Sequence, residues 1–558
     1  MTAPHLAGAD LSAFRRTPDQ VMRLARIGSA HPTRLSFLRV MLRRMATEGW
    51  RFDRPVWTLD ATGVGRAVYR AIGPVRTYSL IAFAHDLPDH LRSDRVIATA
   101  WDATFALFDG EPTAEDLDRL QANVPLQEAG RISPRELTLA RANRSVRLFD
   151  HVVNRLAQGQ QPDPGAVAAV GYLMRTTAVY GSGKFGAADR ALIAGRAELA
   201  APFQVEMLTV WLIRQFTVDL VEHLAQVRGG AGAARLDPAT RRALGVGNAT
   251  GLGMAPFLIR HPVLIHAWIA ARETALARVR AQETALPGAV AGFCTALAEA
   301  QDNAALWQSA HPVQMAKLAD LRRDLTRIAA WVGAWPDPAQ RHPWDTLWRQ
   351  GESGLSLEGQ EALLALLLEP HGDLVDDLAD RMAADEAAAF RLDGAMTVAR
   401  LRAILRDHYG WALALDFTDP RQKARFWYVS EEKLEPRIGN RCAEPGAARE
   451  QPLGIARLAC GLALALAEGP ANQTVAAFLL ANPDHRQMVR RAQLAPGHPY
   501  GEVRDNLLAD DMLPIDLMRG KLALFGASRF DPRSDKWVRI SLFQGQPGPA
   551  DLAGDRGG

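Results

Sequence analysis

At 558 residues, with 48% hydrophobic and 23% charged side chains, the chain can bury a sizeable core in two or three modules, and this excludes a disordered chain. A formal net charge of +3 lacks the strongly basic balance on which nucleic-acid binding rests, so nucleic acid is not expected as the main partner. Cys294, Cys442 and Cys460 lie far apart and in no CxxC or Cys/His spacing, which excludes a disulfide framework or a zinc motif and points to a cytoplasmic, reducing compartment.

No apolar run approaches the roughly 18 residues of a spanning helix, and no secretory leader or membrane association is expected. Leu11–Arg44 carries eight arginines against the single acid Asp19. Apolar residues at three- and four-residue spacing predict amphipathic helices over Gln20–Ile27 and Thr33–Thr47. Alternation then predicts a β-hairpin, Gly65–Ile72 and Val75–Ala84 about Gly73-Pro74.

From Asp86 to about Arg406 helical periodicity dominates, clearest in Arg190–Val227, Pro262–Thr284, Gly288–Trp307 and Ala316–Trp331. Strand texture returns in Arg425–Ser430, Leu522–Phe530 and Lys536–Phe543. The expected fold is therefore mainly α, close to all-α in content: a large helical body with a small antiparallel sheet formed by the N-terminal hairpin and the C-terminal strands, of the α+β class. Loop chemistry at Arg228–Ala234 and Ala334–Pro338 sets soft boundaries between modules over 1–230, 236–335 and 340–545, with 546–558 as a tail.

The most distinctive motif is Tyr180-Gly-Ser-Gly-Lys-Phe-Gly186, whose glycines let backbone N–H groups converge beside Lys184, a nest suited to an anion. It is not a Walker A loop, since Ala178 and Phe185 stand where that pattern needs Gly and Ser/Thr. Gly245–Gly253 has GxGxxxG spacing after a helical segment, so it fails the dinucleotide fingerprint and reads as a polar-lined loop. There Asn248 and Thr250 offer hydrogen bonds, Thr250 alternatively as a helix cap. In Ala424–Arg441, Arg425, Arg437 and Arg441 suit a carboxylate or phosphate clamp, Tyr428 an acid and Glu431 or Glu432 a base, with a surface ion-pair network as the plainer alternative.

His85-Asp-Leu-Pro-Asp-His90 and Asp376-Asp-Leu-Ala-Asp380 carry potential metal ligands, but the first is a turn and the second resembles an ordinary acidic helix face. No GxSxG elbow or activated cysteine is present, and no motif names a cofactor. The resulting expectation is a cytoplasmic enzyme for a small anionic, carboxylate- or phosphate-bearing metabolite, with homo-oligomers compatible. Its site residues are Lys184, Tyr428 and Glu431 for catalysis and Ser182, Gly183, Asn248, Thr250, Arg425, Arg437 and Arg441 for binding; a lyase, transferase or hydrolase fits. The alternative is a non-catalytic helical scaffold or regulator that binds an acidic partner or RNA through its arginine-rich first forty-four residues and its basic C-terminal stretch.

Overall fold

The computed structural model describes residues 11–92, 100–127, 130–177, 193, 195–251, 257–309, 312–333, 340–382, 392–416, 418, 427–430, 433–438, 455–504, 514–527, 529–531 and 537–554. The chain forms two compact units. One holds residues 36–249, 525–531 and 539–558, and the other holds 1–35, 250–524 and 532–538.

The first is a sheet unit. Its strands are β1 (Arg51–Leu59), β2 (Gly65–Ile72), β3 (Thr77–Ala84), β4 (Ala103–Asp109), β5 (Glu136–Arg144), β6 (Tyr172–Thr176) and β7 (Gly245–Gly251). A two-stranded ribbon, β8 (Trp427–Ser430) with β9 (Lys433–Ile438), belongs to the other unit, and β10 (Arg529–Asp531) and β11 (Trp537–Leu542) complete the sheet. The order is β1-β2-β3-β4-β5-β6-β7-β11-β10. Neighbours from β1 to β6 run antiparallel, whereas β6 and β7 are parallel.

This overturns the expected small antiparallel sheet and the near all-α content: the class is α+β, but the sheet has nine strands and is mixed. The hairpin β2–β3 stands, with Gly65 opposite Ala84 and Ile72 opposite Thr77. The late strands join the same sheet only beyond β4–β7, of which β4–β6 occupy segments whose texture predicted helix and β7 a segment expected as a loop. Leu522–Phe530, expected as a strand, is instead helical through Phe525.

Register assigns the sheet's two faces. Val68, Ile81, Phe83, Ala106, Phe108 and Leu139 share one face, covered by Leu117 and Leu120 of the Ala114–Asn123 helix. On the other face Tyr69 and Phe105 meet Phe216 of the Gln204–Gly229 helix, at ring-centroid distances of 6.4 and 5.4 Å. That helix buries Val205, Leu208, Trp211, Leu212, Val218 and Leu224 among others, so packing rather than propensity holds its 26 residues.

The second unit is helical. Its longest helices, Pro262–Arg280, Pro287–Leu306 and Pro312–Val332, each start at a proline, whose fixed φ suits a first turn that has no N–H to bond. Trp268, Trp344 and Trp348 are fully buried in this unit. Val398–Leu413, Ile455–Ala467 and Arg486–Leu494 form a separate apolar cluster around Leu405, Tyr409, Leu462 and Val489. Among the described residues no helix is long and apolar enough to cross a membrane.

Candidate functional site

Of the residues expected to form an anion site, Ser182, Gly183, Lys184, Arg425, Glu431 and Arg441 lie outside the described residues. Tyr428 and Arg437 stand directly opposite each other in the β8–β9 ribbon. Asn248 and Thr250 are on β7, so the expected polar loop is a strand, and Asn248 is buried within the sheet unit. The glycines before them answer to packing. A Cβ on Gly247 would fall 2.5 Å from the Tyr172 ring, and one on Gly245 would fall 2.4 Å from the Leu542 carbonyl oxygen. The carboxylates of the DDxxD segment are engaged in ion pairs: Asp376 takes both ends of the Arg34 guanidinium and Asp377 takes Arg278. His85 sits 3.0 Å from the Thr104 hydroxyl, and Asp89 pairs with Arg92.

A different set of residues converges. On the face of the sheet covered by the Gln204–Gly229 helix, a cleft of about 470 Å³ opens between β1 and that helix, within the usual size of small-molecule sites. The helix contributes Gln215, Asp219, Glu222, His223 and Gln226. Their spacing of four, three, one and three residues puts them on one stripe of an otherwise apolar helix. From the edge strand come Phe52, Arg54 and Trp57, and from β2 comes Tyr69.

A bulge in β1 makes this possible. Register slips between Asp53 and Val56, where Pro55 sits, and a proline is tolerated there because an edge bulge needs no ladder N–H from it. In an unbroken strand residues 54 and 57 would point to opposite faces. The extra residue turns both toward the helix, where Arg54 reaches Asp219 and Trp57 meets Phe216 and His223.

Asp219, partly buried, is the centre of the cleft. Its carboxylate accepts hydrogen bonds from the Tyr69 hydroxyl at 2.8 Å, from Arg54 at 2.9 Å and from the Gln215 amide at 2.8 Å. Burial raises its pKa above the usual carboxylate range, and the bond from Tyr69 and the charge of Arg54 oppose that rise. Burial and the nearby Asp219 charge push the Tyr69 phenol well above its ordinary value, so it stays a donor. Arg54 also lies 4.4 Å above the Trp57 ring, which keeps its guanidinium flat against the cleft wall.

His223 is held by a turn rather than by an acid. Asp60 accepts from the Thr62 and Val64 N–H groups at 2.8 and 3.0 Å, and Gly63, at φ +83°, closes the turn between β1 and β2. The Asp60 carbonyl is thereby presented to His223 Nε2 at 2.7 Å. A carbonyl only accepts, so Nε2 carries the hydrogen and the neutral ring offers Nδ1 as a lone pair. Among the described residues Nδ1 has no partner.

On the opposite rim Arg241 pairs with Glu222 at 2.6 Å. Arg235 is exposed, and among the described residues its guanidinium has no ion pair or hydrogen bond. Among the described residues no group of three or more His, Cys, Asp and Glu side chains is placed to hold a metal.

None of these residues was singled out by motif. The one available signal was the polar stripe Gln215, Asp219, Glu222, His223 and Gln226 interrupting an apolar helix. Arg54, Trp57 and Tyr69 gave none, because a bulge cannot be read from spacing. No family model, curated protein or solved structure matches the chain, so the cleft's own chemistry carries the functional reading.

Proposed function

We propose that the protein is an enzyme acting on a small anionic metabolite, bound in the cleft between β1 and the Gln204–Gly229 helix. The observation that carries this is the presence in one cleft of an arginine, Arg235, whose guanidinium has no partner among the described residues, and an imidazole, His223, whose Nδ1 is left open to accept a proton. Arg235 supplies charge and bidentate geometry for a carboxylate or phosphate. His223 supplies general-base chemistry through its Nδ1 lone pair. Asp219, Tyr69 and Arg54 form the rigid floor that fixes both walls. The anion-binding role assigned from sequence thus moves to residues that no motif marked.

The competing reading, a scaffold recruiting an acidic partner through the arginine-rich start, draws little support from the helical unit. There Arg16, Arg26 and Arg34 are engaged with Glu273, Glu361 and Asp376.

Thermal unfolding against a panel of small carboxylates and phosphates tests the proposal, since a ligand for the native state raises its melting point by mass action. At least one anion should stabilise the wild type, and Arg235→Ala should weaken it by about 1.5–3 kcal/mol, the worth of a charge-assisted hydrogen bond. Proton NMR should then show conversion of that anion by the wild type and none by His223→Phe. An Arg235→Ala protein that responds like the wild type, or a panel without a response, sinks the proposal.

A further inference from the structure

We infer that the cleft is built for a monoanionic hydroxycarboxylate, a reading that rests on the functional assignment above and narrows its substrate class. The first ground is charge. Among the residues lining the cleft, Asp219 is neutralised by Arg54 and Glu222 by Arg241, while Asp53 stands opposite Arg70 and pairs with it, at 2.8 and 2.5 Å, on the Val68 face of the sheet, away from the helix. Arg235 is then the single uncompensated charge among the described lining residues. One carboxylate balances it. A dianion would leave a negative charge facing Asp219 and Glu222, and the ammonium of an amino acid would put a second cation beside Arg235.

The second ground is hydrogen bonding. His223 donates through Nε2 to the Asp60 carbonyl, so in its neutral form it only accepts at Nδ1. A carboxylate offers oxygens that likewise accept, and it leaves that lone pair unmet. A hydroxyl on the same small frame meets it, donating O–H to Nδ1 while the carboxylate meets Arg235. Phe52 and Trp57 on the wall accommodate the carbon frame. About 470 Å³ gives room for roughly fifteen water-sized groups, ample for such a ligand with its solvent.

Four probes on related frames test the inference by calorimetry: lactate, propionate, alanine and inorganic phosphate. Lactate should bind the wild type at least tenfold more tightly than the other three. The advantage over propionate should vanish in His223→Phe, while Arg235→Ala should lose both carboxylates. In wild-type protein labelled with ¹⁵N-histidine, lactate should move the His223 Nδ1 resonance and propionate should not, a readout independent of how the variants fold. Equal binding of lactate and propionate, tighter binding of alanine or phosphate, or an unmoved Nδ1 resonance overturns the hydroxycarboxylate assignment and leaves the anion-binding reading intact. Absence of binding by all four probes and by the wider panel removes both.

Discussion

Arg16 shows how far a single residue's role can lie from its sequence context. In the sequence it is one of eight arginines in a basic start, which suggested an acidic partner; in the helical unit it is 3% exposed. Two of its nitrogens bond Glu273 at 2.8 and 2.7 Å, a third bonds Glu361 at 2.8 Å, Arg26 shares Glu361, and Arg272 shares both carboxylates. The partners lie 257 and 345 residues away, so no local pattern could reveal them. Breaking such a buried network leaves charge without compensation in a medium that solvates it poorly. Arg16→Met should therefore cost about 3–5 kcal/mol in urea unfolding of the helical unit. A loss below about 1 kcal/mol would show the network to be dispensable. His223 shows the same limit: its turn partner Asp60 is 163 residues distant.

Among elements, helices were legible where packing leaves one polar face, and strands were lost where burial removes the alternation. β4, Ala-Thr-Phe-Ala-Leu-Phe-Asp, is buried along nearly its whole length, and a short, mostly apolar segment without polar alternation cannot be told from buried helix. β5, Glu-Leu-Thr-Leu-Ala-Arg-Ala-Asn-Arg, is rich in helix formers that tertiary pairing overrides. The Gln204–Gly229 helix was legible as a helix, but its internal anchor was not. Arg214 is buried and donates to five main-chain carbonyls. Three, on Arg241, Arg242 and Leu244, belong to the end of the Pro238–Ala243 helix, and two, on Gln546 and Pro547, belong to the segment after β11. Burial pushes its pKa down to about 10, still charged at neutral pH. It thereby sets the backbone that presents Arg241 and Pro549 to the cleft. Arg214→Lys keeps the charge but loses the planar fork, so amide hydrogen exchange should rise at least tenfold in residues 544–552. Unchanged protection there would remove this role.

Over the whole molecule, each unit carries its own buried ionisable groups, and they respond to acid with opposite sign. In the helical unit burial alone would raise Glu358. Arg519, bidentate at 2.6 and 2.7 Å, together with His31, outweighs it and brings the carboxyl down to about 2. Its folded pKa lies below its unfolded value, so the stability it adds is present above about pH 4.5 and is lost as pH falls through about 2. That contribution is about 3 kcal/mol. Asp219 in the sheet unit has the reverse sign: its raised pKa favours the folded state below the ordinary aspartate range, and that benefit is lost as pH rises through the raised value. Acid titration of denaturant stability, followed by amides of the helical unit, should steepen between pH 4.5 and 2 and flatten in Glu358→Gln. An unchanged acid limb in that variant would refute the assignment.

The sequence by itself determined what depends on short-range pattern: a large helical content, the β2–β3 hairpin and the approximate positions of the helices Pro262–Arg280, Pro287–Leu306 and Pro312–Val332. These follow from periodicity, proline and glycine, which act over a few residues. Tertiary structure alone decided the sheet's nine-strand order, the partners of the buried arginines, and the cleft. Strand neighbours, ion-pair partners and cleft walls are set by which distant segments bury one another, and a bulge at Pro55 or a carbonyl aimed at His223 exists only once they have.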